Sequence, residues 1–161
     1  MKATKILATG VLILAALSLQ AWAIEPVSVS DRAVVLNPER ASQMVKQCSR
    51  RSPTEVSGSW MPTLGDITLI EKALPQFIAH RARLHRPASA YCRQYVGLIS
   101  RGRKIIYVNA LLASEFKDRD PDAIDWKKEP VVVCDGGGDA WGVEFDPHTN
   151  RFHNFAVNGT P

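Results

Sequence analysis

The sequence predicts a single α+β domain in which one long helix packs on an antiparallel β-meander of about five strands, with a short N-terminal helix in front. Two patterns predict this fold class. Apolar residues recur at helical spacing between residues 63 and 84, whereas residues 91–157 contain β-rich segments separated by short turns. The chain length of 161 residues also allows one domain with a proper core and leaves too little chain for two.

An N-terminal targeting segment precedes this domain. Residues 1–5 contain two lysines, residues 6–19 are almost entirely apolar, and residues 20–23 end in an A-x-A pattern. This order predicts a bacterial-type secretory signal peptide that is cleaved after Ala23. The alternative is an uncleaved membrane anchor, but an apolar run of about 14 residues is shorter than the roughly 17–25 residues that span a bilayer. We therefore expect a periplasmic or secreted protein that does not span a membrane after cleavage.

The remaining residues, 24–161, are predicted to form one small domain, with an irregular leader over 24–62 and the helix and sheet over 63–161. Loss of Lys2 and Lys5 with the signal peptide lowers the formal net charge from +4 to +2. A net charge this small gives little support to nucleic-acid binding, so we expect no nucleic-acid partner.

Charge is distributed unevenly along the domain. Residues 80–104 contain seven basic side chains and no acidic one, while residues 105–148 contain ten acidic side chains and four basic ones. Such blocks predict either a dipolar surface or ion pairs between the two regions. Pairing within the fold is the alternative that we favour, since most charged runs are simply solvated faces.

The clearest element is the helix that begins near Thr63. Thr63 and Asp66 have the spacing of a capping box. Pro75 removes one backbone hydrogen bond, so it should kink this helix or divide it at about residue 74. The helix is expected to end near Leu84, where basic residues suit its carbonyl end. Its apolar stripe consists of Ile67, Ile70, Leu74, Phe77 and Ile78.

The leader contains a weaker helix signal. Asn37 followed by Pro38 is typical of a helix start, and a short helix is predicted from there to about residue 47. A short strand is expected near residues 33–36. Residues 48–62 are rich in Ser, Pro and Arg, which predicts a long irregular loop.

The second half of the chain carries the strand signals. A Ser-Arg-Gly turn joins the first two predicted strands into a hairpin, and a Gly-rich turn separates the next two. We expect Tyr95, Tyr107 and Trp141 to fill the core between the helix and the sheet. The predicted strands are residues 91–99, 103–109, 130–134, 140–145 and 151–157.

Three cysteines follow the signal peptide: Cys48, Cys92 and Cys134. In an oxidising compartment this number predicts one disulfide and one free thiol, with three possible pairings. We favour Cys48–Cys134, because Cys48 begins an irregular segment that a bridge would pin and Cys134 ends an apolar segment before a glycine turn. Cys92 would then be a buried free thiol.

Motifs for catalysis and metal binding are incomplete. Asp135 and Asp139 flank three glycines, but the segment has neither the sequence of a P-loop nor the ligand spacing of a calcium loop, so a flexible hairpin turn is the preferred interpretation. The two histidine pairs, His80/His85 and His148/His153, are five residues apart instead of four. We therefore predict no catalytic residue, no metal ligand and no cofactor.

Aromatic and basic residues suit a binding surface better, since Trp, Tyr and Arg anchor many interfaces. The sequence predicts an exported binding or interaction domain, inhibitor-like or immunity-like, whose partner is a protein or an anionic envelope component. The candidate surface consists of Trp60, Arg81, Arg83, Arg86, Trp126, Asp135 and Asp139.

The alternative function is a small cell-envelope hydrolase that uses carboxylates at the turns of the sheet. That alternative requires titratable side chains to line one cleft. The residues that would have to converge are Asp135, Asp139, Glu144 and His148.

Overall fold

A computed structural model describes residues 25–51, 53–116 and 124–159, so the predicted signal peptide and its cleavage site lie outside the described residues. The described residues form one mixed sheet and two α-helices. The helices are α1 (Ala41–Met44) and α2 (Leu64–Ala79). The strands are β1 (Val27–Ser30), β2 (Ala33–Val35), β3 (Val56–Trp60), β4 (Tyr91–Ser100), β5 (Arg103–Leu112), β6 (Ala140–Asp146) and β7 (Arg151–Val157).

The sheet is larger than the predicted five-strand meander. Its order is β1-β2-β4-β5-β6-β7, and β3 also pairs with β4, which makes seven strands. Strands β4 to β7 form the expected antiparallel meander, whereas β2 pairs with β4 in parallel. The α+β class is therefore confirmed, but the meander has four strands instead of five, and β1–β2 and β3–β4 are further antiparallel pairs.

Helix α2 begins as the sequence predicts. The Thr63 hydroxyl accepts a hydrogen bond from the Asp66 N–H at 3.2 Å, and the Asp66 carboxylate accepts one from the Thr63 N–H at 2.9 Å. This is a complete capping box, in which Asp takes the place of the usual Glu or Gln.

The expected division of α2 at Pro75 was wrong, because the helix runs continuously through this residue, whereas a kink there stays a prediction. Pro75 is exposed and deprives only the Glu71 carbonyl of its helical partner. A proline costs a helix about 3 kcal/mol, but each of the four buried side chains of the stripe contributes roughly 1.5–3 kcal/mol. Burial of the stripe therefore outweighs the proline.

The expected end near Leu84 was also wrong, since α2 ends at Ala79. Two tight turns follow, in which Arg81 N–H bonds the Ile78 carbonyl and Leu84 N–H bonds the Arg81 carbonyl. These turns bring Leu84 back onto the core beneath the helix.

The two faces of the sheet are covered differently. The helix face lies under α2 and contributes Tyr95, Val108 and Trp141 to the main core, as predicted for Tyr95 and Trp141. The loop face is covered by residues 36–50 and 124–135, and Tyr107 is buried there instead of under the helix. Both faces of the central strands β4 and β6 are therefore buried.

An ion pair anchors α2 to the helix face. The Glu71 carboxylate accepts hydrogen bonds from the Arg93 guanidinium at 2.8 and 3.0 Å, and the Tyr95 hydroxyl also donates to it. Burial, with the nearby Glu71 charge, raises the pKa of Tyr95 well above its usual value. Arg93 and Tyr95 of β4 thus donate hydrogen bonds to the same carboxylate on α2.

The strand predicted at residues 130–134 was wrong, because this segment crosses the loop face without pairing to a strand. Buried side-chain amides take the place of a β-ladder. Gln94 accepts a hydrogen bond from the Val131 N–H at 3.0 Å, and Asn109 donates to the Val131 carbonyl at 2.9 Å. Gln47 accepts one from the Val133 N–H at 3.3 Å.

The leader is more regular than expected. The predicted helix from Asn37 is a 3-10 turn over Pro38–Arg40 followed by α1, and Asn37 does cap it. The loop predicted over residues 48–62 contains β3, because Trp60 packs closely over Gly97 of β4 and donates hydrogen bonds to two backbone carbonyls.

The predicted disulfide is confirmed: Cys48 and Cys134 are bonded, and Cys92 is a buried free thiol. Burial raises the pKa of the Cys92 thiol. A disulfide is compatible with an extracellular or periplasmic protein. Within the part of the chain that the structure describes, no helix has the length and apolar character needed to cross a bilayer.

Candidate binding groove

An open groove of about 800 Å³ lies at one end of the sheet, beyond the carboxyl end of α2. Three backbone segments form its walls: residues 82–86 after the helix, the glycine turn before β6, and the end of β7. We call it the basic groove. Its lining residues are Ala82, Arg83, His85, Arg86, Gly137, Gly138, Asp139, Val157, Asn158 and Gly159.

The first wall is held by contacts on either side of Arg83. The guanidinium of Arg81 lies over the ring of Phe77 at 4.0 Å and near that of Phe155 at 5.2 Å. Leu84 packs against the core. The segment is therefore anchored, while Arg83, His85 and Arg86 remain exposed.

The second wall is the glycine turn, which approaches the first wall very closely. The Tyr91 hydroxyl donates a hydrogen bond to the Gly138 carbonyl at 2.8 Å. A Cβ atom at Gly138 would lie 2.6 Å from the carbonyl oxygen of Arg83. This contact explains the glycine, because backbone cannot move aside as a flexible side chain can. The expected hairpin turn was wrong: the segment is a 3-10 turn over Gly137–Asp139 that leads into β6.

The third wall is the end of β7, and it is tied to the second. The Asn158 side chain donates hydrogen bonds to the carbonyls of Val133 at 2.6 Å and Asp135 at 3.1 Å. The Gly159 carbonyl accepts one from the Gly137 N–H at 3.0 Å. These bonds fix the separation of the two walls.

The disulfide lies next to this junction. Ser49, which follows Cys48, accepts a hydrogen bond from the Gly159 N–H at 3.0 Å and donates one to the Cys134 carbonyl at 2.6 Å. The bridge therefore fixes the segment that carries the second wall and supports the third.

A buried arginine supports the same junction from the loop face. The Arg50 guanidinium donates hydrogen bonds to Tyr107 at 2.8 Å, to Gln47 at 3.1 Å and to the Asn158 side chain. Burial lowers the pKa of Arg50, and the interaction with Tyr107 partly opposes that effect. A Cβ at Gly142 would overlap this guanidinium and the Tyr107 hydroxyl, so only glycine leaves room for these two groups.

The charge of the basic groove is largely unneutralised. Among the described residues, no carboxylate lies within 4.0 Å of the guanidinium of Arg83 or Arg86. Asp139 is the acidic side chain in the lining, and it adds to burial in raising the pKa of Tyr91, whereas Arg86 opposes this shift. Three arginines elsewhere do form ion pairs: Arg40 with Glu129, Arg93 with Glu71, and Arg101 with Glu55.

The structure brings together three of the predicted surface residues, Arg83, Arg86 and Asp139. Arg81 lines an adjoining recess that also contains Arg83. Asp135 is exposed just behind the glycine turn, where its carbonyl is bonded to Asn158.

The two tryptophans of the predicted surface lie elsewhere. Trp60 is half-buried on β3, pairs with Gly97 and carries the Lys104 ammonium 5.0 Å from its ring. Trp126 packs against the core of the loop face, and its carbonyl accepts a hydrogen bond from Gln94. Both side chains have structural contacts and neither lines the basic groove.

Seven lining residues of the basic groove were not among the predicted surface residues: Ala82, His85, Gly137, Gly138, Val157, Asn158 and Gly159. The glycine triplet was a usable signal, but its role depends on the approach of Arg83, which is distant in sequence. Asn158 and Gly159 carry no motif, and only the pairing of β6 with β7 places them at the site.

The carboxylates of the hydrolase alternative do not share a cleft. Asp139 precedes β6, whereas His148 follows its far end, and Glu144 is buried on the loop face with the Asn154 amide 3.0 Å away. Asp146 accepts hydrogen bonds from the backbone of His148 and Thr149, which lower its pKa although burial opposes them. In the described residues, no three His, Cys, Asp or Glu side chains group as a metal site would need.

No protein-family model, curated protein or solved structure matches this chain.

Proposed function

We propose that the protein is an exported binding domain that holds an anionic group of a protein or envelope component in the basic groove. One observation carries this proposal: Arg83 and Arg86 are exposed, lie in one groove and have no carboxylate partner among the described residues. Unpaired guanidinium groups that share a cleft are suited to carboxylate or phosphate, since each offers two parallel donors.

The rigidity of the walls supports a binding role. A backbone hydrogen bond joins the second and third walls, and the buried Asn158 amide and the disulfide hold the segment before the glycine turn. The first wall is held by the packing of Arg81 and Leu84. A groove that is formed before binding loses little conformational entropy when the ligand arrives. His85 adds a polar ring beside the two arginines.

Asp139 limits the ligand chemistry. A carboxylate in the lining weakens the binding of an anion that has no hydrogen-bond donor, and it accepts a hydrogen bond from a ligand that has one. The groove therefore suits a ligand in which anionic groups alternate with N–H or O–H donors.

Export is the second part of the proposal. The predicted signal peptide over residues 1–23 supports it, as does the Cys48–Cys134 disulfide, because such bonds persist in oxidising compartments.

The test compares variants in which arginine is replaced by uncharged glutamine at opposite ends of the sheet. Binding of fluorescent poly-L-glutamate is measured for the purified protein, for Arg83→Gln/Arg86→Gln and for Arg101→Gln, the last an exposed arginine on the opposite end. We expect the double variant to bind at least about tenfold more weakly, whereas Arg101→Gln changes the affinity less than about twofold. Equal losses in both variants, or no binding by the unaltered protein, would contradict the proposal.

A further inference from the structure

We propose that the ligand of the basic groove is an extended acidic peptide segment, which adds to the sheet as an antiparallel strand beside β7. This inference rests on the proposed function and names the class of ligand. It is carried by the backbone of β7, by a second recess beside it, and by the positions of the arginines.

Strand β7 is an edge of the sheet, because β6 is its only partner among the described strands. The Asn158 N–H bonds the Ala140 carbonyl at 2.8 Å, so this residue faces β6. Backbone groups alternate in direction along a strand. The N–H and carbonyl groups of Phe155 and Val157 therefore point away from β6, toward the open edge.

A bulge limits pairing to this part of β7. The register between β6 and β7 shifts between Gly142 and Glu144, and Asn154 adopts a positive φ of 52° on the opposite strand. Bulges protect edge strands by twisting them away from partners. The three residues after the bulge, 155–157, border the recess that adjoins the basic groove, and Val157 lines both.

A trough runs along this stretch. A recess of about 300 Å³ lies between β7 and the segment that follows α2, and it includes Arg81, Phe155 and Val157. It shares Arg83 and Val157 with the basic groove. The two recesses adjoin each other, and together they leave room for an extended chain beside the open edge of β7.

Charge specifies the side chains of the added strand. In an antiparallel pair, residues that exchange hydrogen bonds have side chains on the same face. Peptide residues opposite Phe155 and Val157 therefore extend over the face on which Arg81 and Arg83 lie. Acidic residues at alternate positions, about 6.6 Å apart, place successive carboxylates over the face that carries Arg81 and Arg83.

This geometry favours a peptide over a lipid surface or free phosphate. Neither of those ligands would use the outward backbone groups of Phe155 and Val157, whereas strand addition derives much of its affinity from main-chain hydrogen bonds.

The test uses acetyl-Thr-Glu-Thr-Glu-Thr-Glu-amide and two N-methylated versions of it. Methylation of the Glu nitrogens removes the donors directed at β7, while methylation of the Thr nitrogens removes donors directed away from it. Affinities for the purified protein are measured by calorimetry. We expect the unmodified and Thr-methylated peptides to bind within about threefold of each other, and the Glu-methylated peptide to bind at least about tenfold more weakly.

The outcomes separate this inference from the proposed function. Equal binding of all three peptides, with weaker binding to Arg83→Gln/Arg86→Gln, would overturn strand addition and leave anion binding intact. Binding to vesicles of phosphatidylcholine and phosphatidylglycerol, with no binding of any peptide, would overturn the peptide inference in favour of a lipid surface. Failure of every anionic probe, poly-L-glutamate included, would overturn both.

Discussion

Single atoms set the width of the basic groove. Gly138 lets the glycine turn lie against the Arg83 carbonyl, and the Tyr91 hydroxyl holds the turn there. Asn158 connects the opposite wall to two carbonyls on the segment before the turn. Each of these contacts involves groups distant in sequence, so the width of the basic groove depends on residues that carry no charge.

Replacement of Gly138 by Ala should disturb the site more than the fold. The new Cβ would meet the Arg83 carbonyl at 2.6 Å, so the two walls must separate. We expect a loss of about 1–3 kcal/mol in the free energy of unfolding and at least about a tenfold loss in poly-L-glutamate affinity. Gly65→Ala is the control, since its nearest neighbour would be the Thr63 hydroxyl at 3.6 Å in the first turn of α2. Chemical denaturation and anisotropy check both, and unchanged affinity in Gly138→Ala would contradict this role.

The tyrosines predict the alkaline behaviour of the protein. Burial is the largest cause of a raised pKa in all three, Tyr91, Tyr95 and Tyr107. A raised pKa in the folded state favours the neutral phenol, so its contribution to stability is present below about pH 10 and is lost as pH rises further. We expect less tyrosinate absorbance at about pH 10 in the folded protein than in denaturant, where the tyrosines are about half-ionised. Folded protein that titrates like the denatured chain would contradict the burial of these rings.

Secondary-structure elements followed the sequence where their signals were local. The Thr63–Asp66 capping box and the hairpin of β4 and β5 depend on neighbouring residues, and both formed as predicted. Residues 130–134 look like a buried strand because they are apolar and β-branched. Their backbone is bound instead by amides of Gln94 and Asn109, which no local pattern relates to this segment.

Because side-chain amides hold residues 130–134 in place of a β-ladder, loss of one amide should destabilise this segment. Gln94 donates to the carbonyls of Trp126 and Glu129 at 2.6 and 2.7 Å and accepts from the Val131 N–H. Gln94→Leu leaves these buried groups unsatisfied, and we expect a loss of about 3 kcal/mol or more in the free energy of unfolding. Exposed Gln76→Leu on α2 should stay within about 0.5 kcal/mol.

Hydrogen exchange gives an independent measure of the same effect. The Val131 amide should lose its protection in Gln94→Leu, while amides in β5 and β6 keep theirs. Retained protection at Val131 would show that the amide of Gln94 does not hold the segment.

At the scale of the whole molecule, the disulfide joins the two segments that cover the loop face. Cys48 and Cys134 are 86 residues apart, which corresponds to about 4–5 kcal/mol in the chain-entropy picture. The sequence left three pairings possible and favoured this one, because Cys48 begins an irregular segment and Cys134 ends an apolar segment before a glycine turn. It was insufficient for the groove, because three walls from three parts of the chain meet only after the meander has formed.

Removal of the bridge should weaken both stability and binding. Cys48→Ser/Cys134→Ser is expected to lose up to about 4–5 kcal/mol and to bind poly-L-glutamate several-fold more weakly, since Ser49 and Gly159 are no longer pinned beside the groove. Cys92→Ala serves as the control, because this variant keeps the disulfide. Its free energy of unfolding should therefore still fall when reductant is added. Affinity that does not change on removal of the bridge would mean that the walls are held by hydrogen bonds alone.

The most direct test of the central claim is a map of the binding site by amide chemical shifts in heteronuclear NMR, with acetyl-Thr-Glu-Thr-Glu-Thr-Glu-amide as the probe. We expect the largest shifts at Arg83, Arg86 and Gly138 and along residues 155–159, with small shifts at the opposite end near Arg101. Shifts centred on Arg101 and the turn between β6 and β7, with none around Gly138, would contradict binding in the basic groove.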